Sequence, residues 1–333
     1  MLGPESKKAI HRKFANTPAG FAQLKEFVEN HAPLTECHFC MESTGNYGRG
    51  AAVFLVNEGA VVSVENPRFI KHFAIGQRLQ NKTDKSDAKA IAFYCRKNTP
   101  GPWALEDPQL RELDDLLKRL SDLEKLRVQD ANRLENQGLG ERARNSIQRT
   151  LASLDSETEA ITMQIEECLK SLPPIREMVD TLLLEPGVGE LTALRFLSHV
   201  GWSPETFEDA QQCAAAAGYN PVRQESGKMV GRTRISKQGD ARFRGSMYMS
   251  TVVAIQHNPK VKAFYEKKIQ EGKTKLCALI ACCRKLVMIL FGILKAKARG
   301  NAPVYSANKL RYVDLRGNQK VFRKKNNPQA LTI

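Results

Sequence analysis

Apolar and polar positions recur with different periods along this chain, and the changes of period divide it. Early on, short strand-like runs alternate with helix-like ones. Ala9 to Phe14 predicts a strand, and Thr17-Pro18 then reads as a helix N-cap and first helical position. Phe21, Leu24 and Val28 fall on one helical face behind them. His38 to Met41 is a short apolar run before Glu42, followed by a helical pattern over Ala51 to Asn57 and a strand over Val61 to Val64. Further helical patterns begin near Arg68 and at Thr83. Strands alternating with helices predict an α/β sheet with helices packed on its faces, over residues 1–100.

The composition breaks at Pro100 to Pro108. Beyond it Leu113, Leu116, Leu120 and Leu123 step by three and four, and the glycines 138 and 140 interrupt the series. Ile147, Leu151, Leu154, Thr158, Ile161, Ile165, Cys168 and Leu172 then resume it. Heptad spacing of this kind predicts two long helices over 101–174, as a coiled-coil hairpin or a dimer arm, ended by Pro173-Pro174. Residues 175–300 read as all-helical, with small residues from Ala214 to Gly218 permitting close packing. In 301–333 the pattern dissolves. Lys309 to Lys325 holds seven basic residues against the single acid Asp314, which suits a flexible nucleic-acid arm and a solvated tail equally well.

Composition sharpens this picture. With 333 residues and 42% hydrophobic content there is apolar material for a sizeable core, which excludes wholesale disorder. The 51 Lys+Arg against 36 Asp+Glu leave a net charge of +15, an excess that points to a polyanionic partner, nucleic acid or an anionic membrane. Leu105 to Lys170 has 10 basic and 15 acidic residues, so the positive excess lies outside the predicted coiled coil. The membrane reading is weak. The start has no signal-peptide core, and the most apolar stretch, Leu276 to Ala296, is interrupted by Arg284 and Lys285. Eight cysteines without regular spacing favour reduced thiols and a cytoplasmic location. Cys37 and Cys40 form a CxxC with no second pair or suitable histidine after it, which fits a strand interior better than a zinc site.

Three constellations carry chemistry. Glu42 stands where an apolar strand meets the turn of Met41 to Tyr47, and in α/β folds such strand ends line the ligand crevice. Asp84 and Asp87 are three apart at a helix start, with Ala88, Ile91 and Cys95 as the expected buried face beside them. Three carboxylates converging there suit Mg²⁺ or Mn²⁺, which clamp the oxygens of phosphoryl transfer; a cap, a dipole partner and a solvated acid account for the same residues. The second is Leu184 to Gly189, where Gly187 and Gly189 suit both a helix-hairpin-helix phosphate cradle and a plain inter-helix turn. The third is a basic field of Arg223, Lys228, Arg232, Arg234, Lys237, Arg242 and Arg244 around Ser236. Its cations suit phosphates, and a hydroxyl among them can attack a phosphodiester.

In their order along the chain, MESTGNY, NKTDKSDAKAIA, the PGVG turn and RISKQGDARFR resemble the DEDD-type transposases of bacterial insertion sequences. The match is to family one-hundred-ten, related to the pilin-gene invertases, from about Lys13 to Ala296. The resemblance implies a RuvC-like (ribonuclease-H-type) α/β domain, a coiled coil and an all-α transposase domain. Glu42, Asp84 and Asp87 would be its Mg²⁺-binding carboxylates, and Ser236 the nucleophile that transiently joins DNA. It further implies DNA and a structured guide RNA as partners and a homo-oligomer whose active site combines two subunits.

One departure stands out. The family's first Asp lies on an opening strand in a glycine-isoleucine-aspartate context, and no such segment occurs here, nor any Asp before Glu42. The expectation is an α/β domain truncated at its N-terminus, with weakened metal affinity and stability, and so an inactive copy or a late start codon. Two other readings compete. A RuvC-type junction-resolving nuclease would need the carboxylates but not Ser236, and a non-catalytic nucleic-acid-binding protein would need neither.

Overall fold

The computed structural model describes residues 3, 9–43, 45, 47–77, 83–222, 225, 226, 229, 230, 233–300, 310–313 and 319–322. The chain forms two compact units, Met1–Asp107 and Pro108–Ile333.

In the first unit, helix α1 (Pro18–Glu29) starts as the sequence predicts: the Thr17 hydroxyl accepts the Gly20 amide at 3.2 Å and Pro18 sets the first helical φ. Strand β1 (His38–Glu42), helix α2 (Arg49–Asn57) and strand β2 (Val61–Glu65) make a parallel βαβ unit. Register runs from His38↔Val61 to Glu42↔Glu65, so both strands end together on a glutamate. Helices α3 (Pro67–Gly76) and α4 (Asp84–Asn98) follow. Val28, Leu34, Ala52, Leu55, Ala60 and Val62 form the core. Roughly 1.5–3 kcal/mol per fully buried aliphatic side chain is the scale of what holds it.

The expected strand over Ala9 to Phe14 is not there; past a single bridge at Ala9 the segment is irregular. A strand needs a hydrogen-bonding neighbour. Here side chains fasten the segment instead, Phe14 lying 5.6 Å from the Phe27 ring with the Arg12 guanidinium over both. Among the described residues the parallel sheet has two strands.

The second unit opens with α5 (Pro108–Leu134) and α6 (Glu141–Ser171), packed as an antiparallel hairpin. Leu113, Leu120 and Leu123 are buried as their spacing predicts, and Ile165 and Leu169 oppose them. Pro173-Pro174 both ends this pair and opens α7 (Pro173–Leu182), where a missing amide costs nothing. Helices α8 (Glu190–His199), α9 (Ala210–Ala216), α10 (Ala241–His257), α11 (Pro259–Gln270) and α12 (Lys275–Ala298) complete one core, continuous with the base of the hairpin. Ala214 and Ala217 are fully buried beside α12. That helix is long and apolar enough to cross a membrane, yet its Cys282, Cys283, Leu286, Val287 and Leu290 are buried inside the unit. It is a core helix.

Two corrections concern strands. The region read as all-helical contains β3 (Pro221–Val222), β4 (Glu225–Ser226), β5 (Met229–Val230) and β6 (Arg234–Ile235), pairing β3 with β6 and β4 with β5 antiparallel. In the basic tail β7 (Leu310–Val313) pairs antiparallel with β8 (Gln319–Phe322), where dissolving pattern was expected. Two-residue strands are too short to show period-two alternation.

Candidate functional site

In the first unit the parallel strands bring Glu42 and Glu65 side by side at their carboxyl ends, and the Ser43 amide extends the pairing to the Glu65 carbonyl at 2.8 Å. The Tyr94 hydroxyl of α4 donates to Glu65 Oε2 at 3.3 Å. Beside Glu42 lies a cavity of about 150 Å³ lined by Met41, Ser43, Arg49, Val64 and Trp103. Arg49 sits 5.3 Å from the Trp103 ring and pairs with Glu106 at 2.9 Å. Sequence reasoning missed Glu65 and Tyr94; the available signal was that Glu65 closes a strand as Glu42 does.

Helix α4 starts where predicted. Thr83 and Ser86 form a reciprocal capping box, worth about 1 kcal/mol, and the acids Asp84 and Asp87 occupy the first turn. Asp87 precedes Tyr94 by two turns, on the same side of the helix. Both aspartates are exposed, and so is Ala88, against expectation; Cys95 is buried as expected, Ala90 takes the place of Ala88, and Ile91 is half-buried. Asp84 is held by Lys13 Nζ at 2.7 Å, and that hydrogen bond keeps its carboxyl below the usual range.

The expected convergence of Glu42, Asp84 and Asp87 on one ion is therefore absent from this conformation. Among the described residues no group of three or more His, Cys, Asp or Glu side chains is placed to hold a metal. The physical reason is local: Asp84 spends its charge on Lys13, and Asp87 overhangs the helix start in solvent. The residues as folded do not fit a divalent ion. Of the CxxC pair, Cys40 is a strand residue whose thiol hydrogen-bonds Cys95, which with burial pushes its pKa up.

The second unit holds the other constellations. The turn between α7 and α8 is fastened from within: buried Glu185 accepts the Asn258 amide at 2.5 Å, and Glu190 pairs with Arg176. Gly187 has φ +93°, and a Cβ on it would lie 2.6 Å from Ala254. On that side the turn meets α10, so Gly187 serves close packing; Gly189 is the extended N-cap of α8.

Ser236 follows β6 half-buried, with its amide on the Asn220 carbonyl at 2.8 Å and its Oγ accepting the Gln238 amide at 3.3 Å. Lys237 takes φ +53°, and Gly239 could bear no Cβ, which would meet the Ala216 carbonyl at 2.1 Å. The basic field divides. Arg234 and Lys237 are exposed, and Arg242 lies 3.7 Å from Asp122. Arg244 turns inward, donating to the carbonyls of Ala217 at 3.1 Å and Gly239 at 3.0 Å. Rather than pointing out toward a phosphate, it staples the Ser236 loop to the end of α9. Arg223, Lys228 and Arg232 lie outside the described residues.

A βαβ unit whose two strands end on glutamates is thus followed in the chain by a helical unit with a half-buried serine between exposed Arg234 and Lys237. Residues 1–137 match a transposase family of the DEDD, IS110 type, and residues 180–266 match the transposase IS116/IS110/IS902 family. The chain belongs to the IS110-type transposases. It is 25% identical over 285 residues to the pilin gene-inverting protein of Moraxella bovis, covering 85% of this chain and 88% of that one. The pilin gene-inverting protein of Moraxella lacunata matches equally, at 25% over 285 residues, 85% of this chain and 88% of its own. A 42 kDa protein of insertion element IS900 from Mycobacterium paratuberculosis is 27% identical over 152 residues, 46% of this chain and 37% of its own.

Proposed function

We propose that this protein cuts and rejoins DNA strands with Ser236 as nucleophile, that Glu42, Asp84 and Asp87 are the acidic residues the reaction requires, and that a structured RNA guides it. The observation that carries the reading is the Ser236 loop. It presents a hydroxyl between exposed Arg234 and Lys237 on a backbone held by a left-handed Lys237, the cramped Gly239 and the Arg244 staple. Arg234 and Lys237 neutralise the phosphate that the serine approaches.

The Ser236 Oγ–phosphorus bond forms as one phosphorus–oxygen ester bond of the strand breaks. The proton lost by the serine balances the one gained by the leaving oxygen, and attack by an exchanged end reverses the step. One ester replaces another, so no energy source is needed. No step is assigned to a divalent ion, because the carboxylates as folded do not cradle one. The long α5–α6 hairpin, with Leu126, Val128 and Met163 exposed, is the surface on which copies of the chain associate.

Incubation of the full chain with element-end DNA and the element's transcript tests this. An SDS-stable protein–DNA adduct is expected, lost in Ser236→Ala. Normal recombination by Ser236→Ala overturns the nucleophile assignment, and cleavage without an adduct points to a water-using nuclease.

A further inference from the structure

The charge of the first unit is unevenly spread. Met1 to Asp107 holds 14 Lys+Arg and 11 Asp+Glu, yet Pro67 to Asn98 alone has eight basic residues and two acids. Six of these cations, Arg68, Lys71, Lys85, Lys89, Arg96 and Lys97, lie on α3 and α4, and outside Pro67 to Asn98 the unit holds six basic residues against nine acids.

Aromatic rings interleave those cations. Phe73 of α3 meets Tyr94 of α4 edge-on with centroids 5.5 Å apart, and Lys97 Nζ stands 5.9 Å from the Phe73 ring. Further along α4, exposed Lys89 lies 5.6 Å from the half-buried Phe93 ring centroid. Phe69 precedes Phe73 by one turn on the same side of α3 and is 60% exposed. Isolated exposed apolar residues are ordinary, but an exposed ring set in a cationic, ring-lined surface is the chemistry that holds unpaired nucleic acid. Cations track the phosphates, and a free aromatic face stacks on a base. A duplex hides its base faces, so Phe69 has nothing to offer one.

We propose that the α3–α4 surface of the first unit binds single-stranded nucleic acid, with a base stacked on Phe69 and phosphates on Lys89 and Lys97. This rests on the reading that the chain works on nucleic acid, and it adds a site apart from Ser236 and its basic loop.

Fluorescence anisotropy of the full chain with a labelled oligo-uridine, an oligo-thymidine and a duplex of the same length tests it without requiring strand chemistry. Phe69→Ala is expected to weaken single-strand binding roughly 5- to 100-fold while duplex affinity holds, and Phe69→Trp to retain it. Lys89→Ala with Lys97→Ala is expected to lower the salt slope of single-strand binding by about 1.4. Tighter oligo-uridine binding assigns the surface to RNA, and tighter oligo-thymidine binding to an unpaired DNA strand. The proposal falls if the wild type binds no single strand, if Phe69→Ala binds single strands normally, or if duplex binding drops equally. Adduct formation by Ser236 is read separately, so either proposal can fail alone.

Discussion

Glu42 and Glu65 are direct partners across two parallel strands, and the Tyr94 hydroxyl holds Glu65. Like charges side by side on one face of a sheet are destabilising. Glu65→Gln, which leaves Tyr94 an acceptor, is expected to raise the stability of the first unit by a few tenths of a kcal/mol. Urea denaturation followed by Trp103 fluorescence measures it; a loss of stability would mean that the Glu65 charge is doing the holding.

Lys13 and Asp84 are distant in sequence and joined at 2.7 Å. Lys13→Ala is expected to return the Asp84 carboxyl to the ordinary carboxylate range, because the hydrogen bond that lowers it is gone. An NMR titration of the Asp84 side chain reads this directly. With both groups exposed, little change in melting temperature should accompany it.

Gly187 combines a left-handed φ with a backbone approach to Ala254 that leaves no room for a methyl group. Gly187→Ala is expected to cost about 3 kcal/mol, from positive-φ strain and overpacking together. Chemical denaturation gives the magnitude. Adding Ala254→Gly should recover only part, since it removes one clashing carbon and leaves the φ; a cost below about 1 kcal/mol for the single variant would refute the packing role.

His199 is stacked on Phe243 at 4.1 Å with its Nε2 on the Cys213 carbonyl at 3.1 Å, and burial pushes its pKa down. A depressed histidine pKa favours the neutral ring in the fold, so its contribution is complete above the ordinary histidine range. It declines as pH falls below that range toward the lowered folded value. The stability of the second unit should therefore drop on acidification through that window, and the His199 share of the drop should vanish in His199→Phe. Melting curves across the window check both.

Much of this architecture was legible in the pattern of residues. Thr17-Pro18 and the Thr83 cap rest on neighbours a few positions away, and the Glu42 strand and the two long helices from Leu113 to Leu172 show in the period of their own residues. Local rules apply there because the partner atoms are nearby in the chain. Strands of two residues leave no such period to read, and the proposed strand at Ala9 depended on a partner elsewhere.

The site divides the same way. Glu42, Asp84, Asp87 and Ser236 are candidates by type and spacing, and the strand end and helix start of the three acids follow from local pattern, whereas the Ser236 loop lies in a stretch read as helical. Which groups they meet did not follow. Only folding brought Lys13 to Asp84, Glu65 beside Glu42 and Ala254 against Gly187, and turned Arg244 from a phosphate toward two carbonyls. Helix periods and caps are set within a few residues, whereas charge pairing and steric fit depend on which distant segments share space, and that is decided by packing.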